Sequence, residues 1–112
     1  MIRKIIYFLL LFSYMGVIFY LSSLPPKVKL GSFDFPIHVL EFFPLGILTV
    51  LFLKELNLRN PFLFSFIFSI LYAISDEIHQ TFIPGRNASV KDVIADCVGI
   101  LIGLYIVKKW QR

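Results

Sequence analysis

The chain has 112 residues, 58% of them apolar and only 16% charged, with a mean hydropathy of +0.83. A soluble domain averages about 45–50% apolar and about 25% charged residues, and a chain this short buries too little surface to hide so much apolar material in water. A two-domain protein, a disordered tail and a soluble enzyme therefore do not fit, and the net charge of +4 reads as the Lys/Arg surplus that orients a membrane protein rather than as a nucleic-acid footprint.

Four apolar stretches reach the length of about 20 residues that a membrane span needs. The first covers 5–24 behind Arg3 and Lys4 and stops at Pro25-Pro26. Its apolar run is too long for a signal-peptide core, and no A-x-A-like site follows it. The second covers 37–56, where Pro44 is expected to kink the helix by freeing the carbonyl of Leu40. The third covers 61–80. The fourth covers 90–107, with Ser89 at capping-box spacing before Asp92 and Gly99-xxx-Gly103 as a helix contact. Cys97, the single cysteine, sits in an apolar run and packs as a small hydrophobe, which rules out an intramolecular disulfide, a zinc ribbon and a CxxC pair. The expected fold is an all-α membrane protein: a bundle of four transmembrane helices spanning 1–112, without linker, repeat or appended domain.

Orientation follows from the basic residues. Arg3, Lys4, Lys54, Arg59, Lys108, Lys109 and Arg112 fall on one side, and Lys27, Lys29, Arg86 and Lys91 on the other, a split of seven to four. Both termini and the turn near Asn57 are then cytoplasmic, Trp110 anchors the inner interface, and the loops near Lys29 and Gly85 face outward. The acids Asp34, Glu41, Asp76, Glu77, Asp92 and Asp96 all collect on the outer side.

The polar residues are periodic. At about 100° per residue, Ser65, Ser69, Tyr72, Asp76, His79 and Gln80 share one face of the third helix. Asp92, Asp96, Gly99 and Gly103 share a face of the fourth, and His38, Glu41 and Thr49 a face of the second. Polar stripes in lipid must turn towards one another or towards water, so a polar pocket is expected at the extracytoplasmic side, walled by helices two, three and four. Its expected residues are His38, Glu41, Asp76, His79, Gln80, Arg86, Asp92 and Asp96. Glu77, about 100° from Asp76, is expected to face water. An intramembrane acid is a functional hypothesis by default. His38/Glu41 and Asp76/His79 are spaced i,i+3, so these four could carry acid–base catalysis or hold a divalent metal between facing helices. Gln80, Arg86, Asp92 and Asp96 are the candidate substrate contacts. The plainer alternatives are that Ser89 and Asp92 cap a helix start, that His38 and His79 make interfacial hydrogen bonds, and that Pro84-Gly85 is a turn.

These residues resemble a known family. His38-xx-Glu41, followed by Ser75-Asp76-Glu77-x-His79-Gln80-x-Phe82-x-Pro84-Gly85-Arg86-xx-Ser89-xx-Asp92-xxx-Asp96-xx-Gly99-xxx-Gly103, is similar to the signature of VanZ-like membrane proteins. The resemblance covers His38 to Gly103 and implies a small multi-helix bacterial membrane protein. The family's founding member is associated with resistance to the glycopeptide teicoplanin. Asp96 stands where Asn is more usual in the family, which adds a charge here.

Three functions are compatible with these residues. One is a membrane-embedded hydrolase or transferase acting on an anionic envelope lipid or lipid-linked cell-wall intermediate, with Arg86 holding the anion and Asp76 or His79 moving protons. Another is a non-catalytic protein that binds or shields the same ligand. The third, a proton-coupled transporter component, lacks an acid or His in the inner half to complete a path. Partners are membrane lipids and not nucleic acid, the location is the bacterial cytoplasmic membrane, and the sequence does not fix the number of subunits. Reporter fusions after Arg112 and within 30–35 test the topology: the C-terminal fusion should be active only as a cytoplasmic reporter and the internal one only as an exported reporter, and the reverse pattern refutes the orientation.

Overall fold

The computed structural model describes residues 1–23, 34–84 and 89–111. Four helices follow in order: α1 (Ile2–Ser23), α2 (Asp34–Glu55), α3 (Pro61–Gln80) and α4 (Val90–Trp110). Each has 20 to 22 residues. At 1.5 Å per residue that gives about 30–33 Å, the thickness of a hydrocarbon core.

The ends are set locally. Pro61 opens α3 at a first-turn position, where its missing N–H costs nothing. The Ser89 hydroxyl accepts the Asp92 N–H at 3.2 Å and caps α4 as its spacing predicts. Asn57 turns the chain between α2 and α3 with φ 61, a left-handed conformation that Asn tolerates better than most residues. α2 runs as one helix through Pro44. α4 continues three residues past its expected end, which places Lys108 and Lys109 in the last turn, where cations complement the helix dipole.

The helices alternate in direction. Phe8 near the start of α1 lies against Phe52 near the end of α2, with ring centroids 5.7 Å apart. Lys54 donates to the side-chain oxygen of Gln111, which joins the end of α2 to the end of α4. At the opposite end of the bundle, Ser23 meets His79. Both termini and the 56–60 turn therefore share one end, as the sequence implies.

α1, α2 and α3 are long and apolar enough to cross a membrane. α4 is as long, but Lys91, Asp92, Asp96, Lys108 and Lys109 raise its charge above that of an ordinary span. Its two acids are buried inside the protein rather than turned outward. The outer surface is oily: Phe8, Leu9, Phe12, Phe19, Leu40, Leu63, Leu71 and Leu101 are all exposed. So continuous an apolar surface is far beyond what a soluble monomer shows. This is a membrane protein.

α2 and α4 form the closest pair, because glycines let their backbones meet. A Cβ on Gly99 would collide with the Val39 carbonyl oxygen, and one on Gly103 would come 2.5 Å from that of Phe43. From the other side, a Cβ on Gly46 would lie 2.7 Å from the Ile100 carbonyl oxygen. Without a hydrophobic driving force between helices in lipid, such close packing is what holds them. α1 covers α2 and α3 more loosely, tied by two tyrosines. The Tyr14 hydroxyl donates to the Glu41 carbonyl and the Tyr72 hydroxyl to that of Met15, each at 2.5 Å.

Gly99→Ala should therefore lower stability in detergent by about 1–3 kcal/mol, the usual cost of overpacking a tight contact. Gly16→Ala, where the new methyl meets nothing within 4 Å, should be neutral or stabilising by up to about 1 kcal/mol. Thermal melts of the two variants check the contrast, and equal effects would remove the close α2–α4 approach as the organising contact.

Candidate functional site

At the end of the bundle where α1 and α3 finish and α4 begins, α2, α3 and α4 bury an unusual number of charged groups. His38 is 6% exposed, Asp76 3%, Glu77 5%, Asp92 8% and Asp96 0%. Each is there because of the helix that carries it. His38 precedes Val39, whose carbonyl receives Gly99, so the ring is brought level with the turn of α4 that holds Asp96. Asp92 lies one turn further out, behind its Ser89 cap.

His38 is the hub. Its Nδ1 and the Asp96 Oδ1 are 2.9 Å apart and share a hydrogen bond, and its Nε2 stands 3.7 Å from the Asp92 Oδ1. A carboxylate on one ring nitrogen fixes the tautomer and the orientation of the ring. Glu77 enters from α3. Its Oε2 accepts the Ser89 N–H at 3.1 Å, so the same residue that caps α4 also anchors the α3 carboxylate. Asp76 acts electrostatically on Asp96, and Glu41 on His38.

The expected site residues thus separate into groups. His38, Asp92 and Asp96 come together as the stripes imply. Asp76 and Gln80 are buried on the inward face of α3. Glu41 is half-buried, and its main-chain carbonyl is engaged by Tyr14. His79 goes elsewhere: its Nε2 lies 2.8 Å from the Ser23 hydroxyl and its ring stacks on Phe19, with centroids 4.4 Å apart. It faces α1 rather than His38. Arg86 lies outside the described residues, as does Gly85 of the Pro84-Gly85 turn.

Glu77 is the correction. The polar stripe of α3 turns it to water, whereas the structure buries it. The buried face of α3, formed by Ser65, Ser69, Ala73, Asp76, Glu77 and Gln80, covers about 120° of the helix. It is rotated by about 50° from the face drawn through the polar residues alone. Small Ala73 carries the signal that would have found it: counted as inward-facing, it moves the centre of the arc towards Glu77 and puts His79 at the α1 edge. A shallow, largely apolar groove of about 260 Å³ between α3 and α4 reaches Glu77 and Ser89 from the side.

A family model described as VanZ/LLP1 matches residues 5–111, nearly the whole chain. No match is found among curated proteins or among solved structures.

The cluster and the His79 contact should differ in energetic weight. Among the described residues of the cluster, His38 is the one side chain that can carry positive charge, so His38→Leu leaves buried carboxylates repelling one another and should cost about 3 kcal/mol or more. His79→Phe keeps a stacked ring on Phe19 and loses one hydrogen bond, for at most about 1.5 kcal/mol. Thermal unfolding in a single detergent compares them, and a larger loss for His79→Phe would make the α1 contact, not the cluster, the centre of this end of the bundle.

Proposed function

Since the chain belongs to the VanZ-like family, we propose that it works in the bacterial cytoplasmic membrane by holding an anionic envelope lipid or lipid-linked cell-wall intermediate at the outer face. The observation that carries this reading is the burial of His38 with Glu77, Asp92 and Asp96 at one end of an otherwise oily bundle. Buried charge is costly in a membrane and is a mark of function there. In this reading α4 is the fourth span, tolerable in lipid because Asp92 and Asp96 face α2 and α3. Both termini are cytoplasmic, as the Lys/Arg split favours, which puts the cluster at the outer leaflet.

Arg86 is the proposed anion contact, since its planar fork suits phosphate or carboxylate and stays ionised. His38, oriented by Asp96, is better placed than His79 to move a proton, and Asp76, Gln80 and Asp92 complete the polar surroundings. If the protein is a hydrolase or transferase, His38 takes the role that spacing alone assigned to the Asp76/His79 pair. A protein that occupies or shields such a ligand also fits the association of the family's founding member with teicoplanin resistance, because it would change the antibiotic's access to cell-wall material.

Native mass spectrometry of the purified protein with mixed lipids tests this reading. The wild type should retain phosphatidylglycerol in preference to phosphatidylcholine. Arg86→Gln should lose that preference by about tenfold, the weight of one charge-assisted contact, and Arg86→Lys should lose part of it. No preference in the wild type for the anionic lipid overturns the proposal.

A further inference from the structure

We propose that His38, Glu77 and Asp96 form a binding site for a divalent transition-metal cation of the Zn²⁺ or Mn²⁺ type. Each residue comes from a different helix, and one ligating atom from each lies within 4.8 Å of the other two. All three are more than nine-tenths buried. Around a bound Zn²⁺ with ligands at about 2.0–2.2 Å, donor atoms stand roughly 3–3.5 Å apart, so side-chain rotations of about an ångström close the set.

A second observation points to a ligand. Among the described residues, each carboxylate has one oxygen held by a protein donor and one buried oxygen with none. Glu77 receives Ser89 N–H on Oε2, while its Oε1 has no hydrogen-bond partner among the described residues. Asp96 shares a hydrogen bond with His38 through Oδ1, while its Oδ2 has none among the described residues. A buried polar atom left without a partner costs about 1–3 kcal/mol, and more when charged. Two such oxygens beside one imidazole are what a cation would satisfy. The bonds already made also have a role: the Ser89 N–H aims the Glu77 carboxylate, as outer contacts commonly orient metal ligands.

The donor set narrows the ion. One imidazole nitrogen and two carboxylate oxygens suit Zn²⁺ or Mn²⁺; Ca²⁺ prefers all-oxygen sites with more ligands, and thiolate-seeking ions find no sulfur among the three. Three protein ligands also leave a coordination position open. The apolar groove between α3 and α4 borders Glu77, one of the three ligands. An anionic headgroup oxygen could take the open coordination position, a use that rests on the function proposed above; the metal site itself does not.

The test is Zn²⁺ and Mn²⁺ titration of the chelator-stripped wild type in detergent by calorimetry, with Co²⁺ absorption as a spectroscopic readout. The wild type should bind one equivalent of Zn²⁺ or Mn²⁺ at micromolar affinity or tighter, and bound Co²⁺ should give the visible bands of a low-coordinate nitrogen–oxygen site. Glu77→Gln keeps the acceptor for Ser89 N–H and should weaken binding by about tenfold or more, as should Asp96→Asn. Glu55→Gln, at the other end of α2, should bind as the wild type does. Circular dichroism of each stripped variant confirms that its helices are intact before the titration is read. Failure of the wild type to take up either ion stoichiometrically overturns the site, as does wild-type affinity in folded Glu77→Gln. Metal uptake without preference for anionic lipid would leave the site standing and remove the lipid reading alone.

Discussion

The contact between the backbones of α2 and α4 is the constraint on which the rest depends. Gly46, Gly99 and Gly103 allow it, because any side chain at these positions would meet a main-chain carbonyl of the facing helix. The contact fixes register as well as distance. With Gly99 seated on Val39, the next turn of α4 brings Asp96 beside His38, and the turn after that brings Asp92 to the other side of the ring. In lipid this matters more than in water, because helix association there rests on close packing and polar contacts rather than on the expulsion of water.

The charged end is then made tolerable by its own arrangement. A single imidazole links two carboxylates on α4, and a backbone N–H at the start of α4 holds the carboxylate from α3. α1 closes the opposite flank with Ser23 on His79 and with tyrosine hydroxyls on helix carbonyls. The other half of the bundle is ordinary by comparison. Thr49 returns its hydroxyl to Leu45, and the Ser69 hydroxyl reaches that of Thr49 at 3.5 Å. The asymmetry is chemical: one end buries acids and an imidazole, the other small hydroxyls and aliphatic side chains.

Much of this was legible in the sequence. Four helices near the right boundaries follow from apolar runs separated by Pro, Gly and polar residues, and the Ser89 cap and the glycine contact follow from spacing. The meeting of His38 with Asp92 and Asp96 follows from two polar stripes that had nowhere else to turn. Glu77 and His79 were misread for one reason. Both lie near the edges of the α3 arc, and polarity alone could not say which edge faces α4 and which faces α1. That depends on where α1 leans, and past Lys4 the polar groups of α1 are only scattered hydroxyls, which carry little directional signal. α1 starts earlier and α4 ends later than their apolar runs because basic side chains at an interface extend a helix beyond such a run.

The α2–α4 contact holds His38 and Asp96 as one energetic unit. A double-mutant cycle with His38→Gln, Asp96→Asn and the double variant, read as unfolding free energies in one detergent, measures that coupling directly. A held, buried pair predicts an interaction energy of at least about 1 kcal/mol, within the range of residues in direct contact. Single-variant effects that add to within about 0.3–0.5 kcal/mol, as for distant sites, would contradict it.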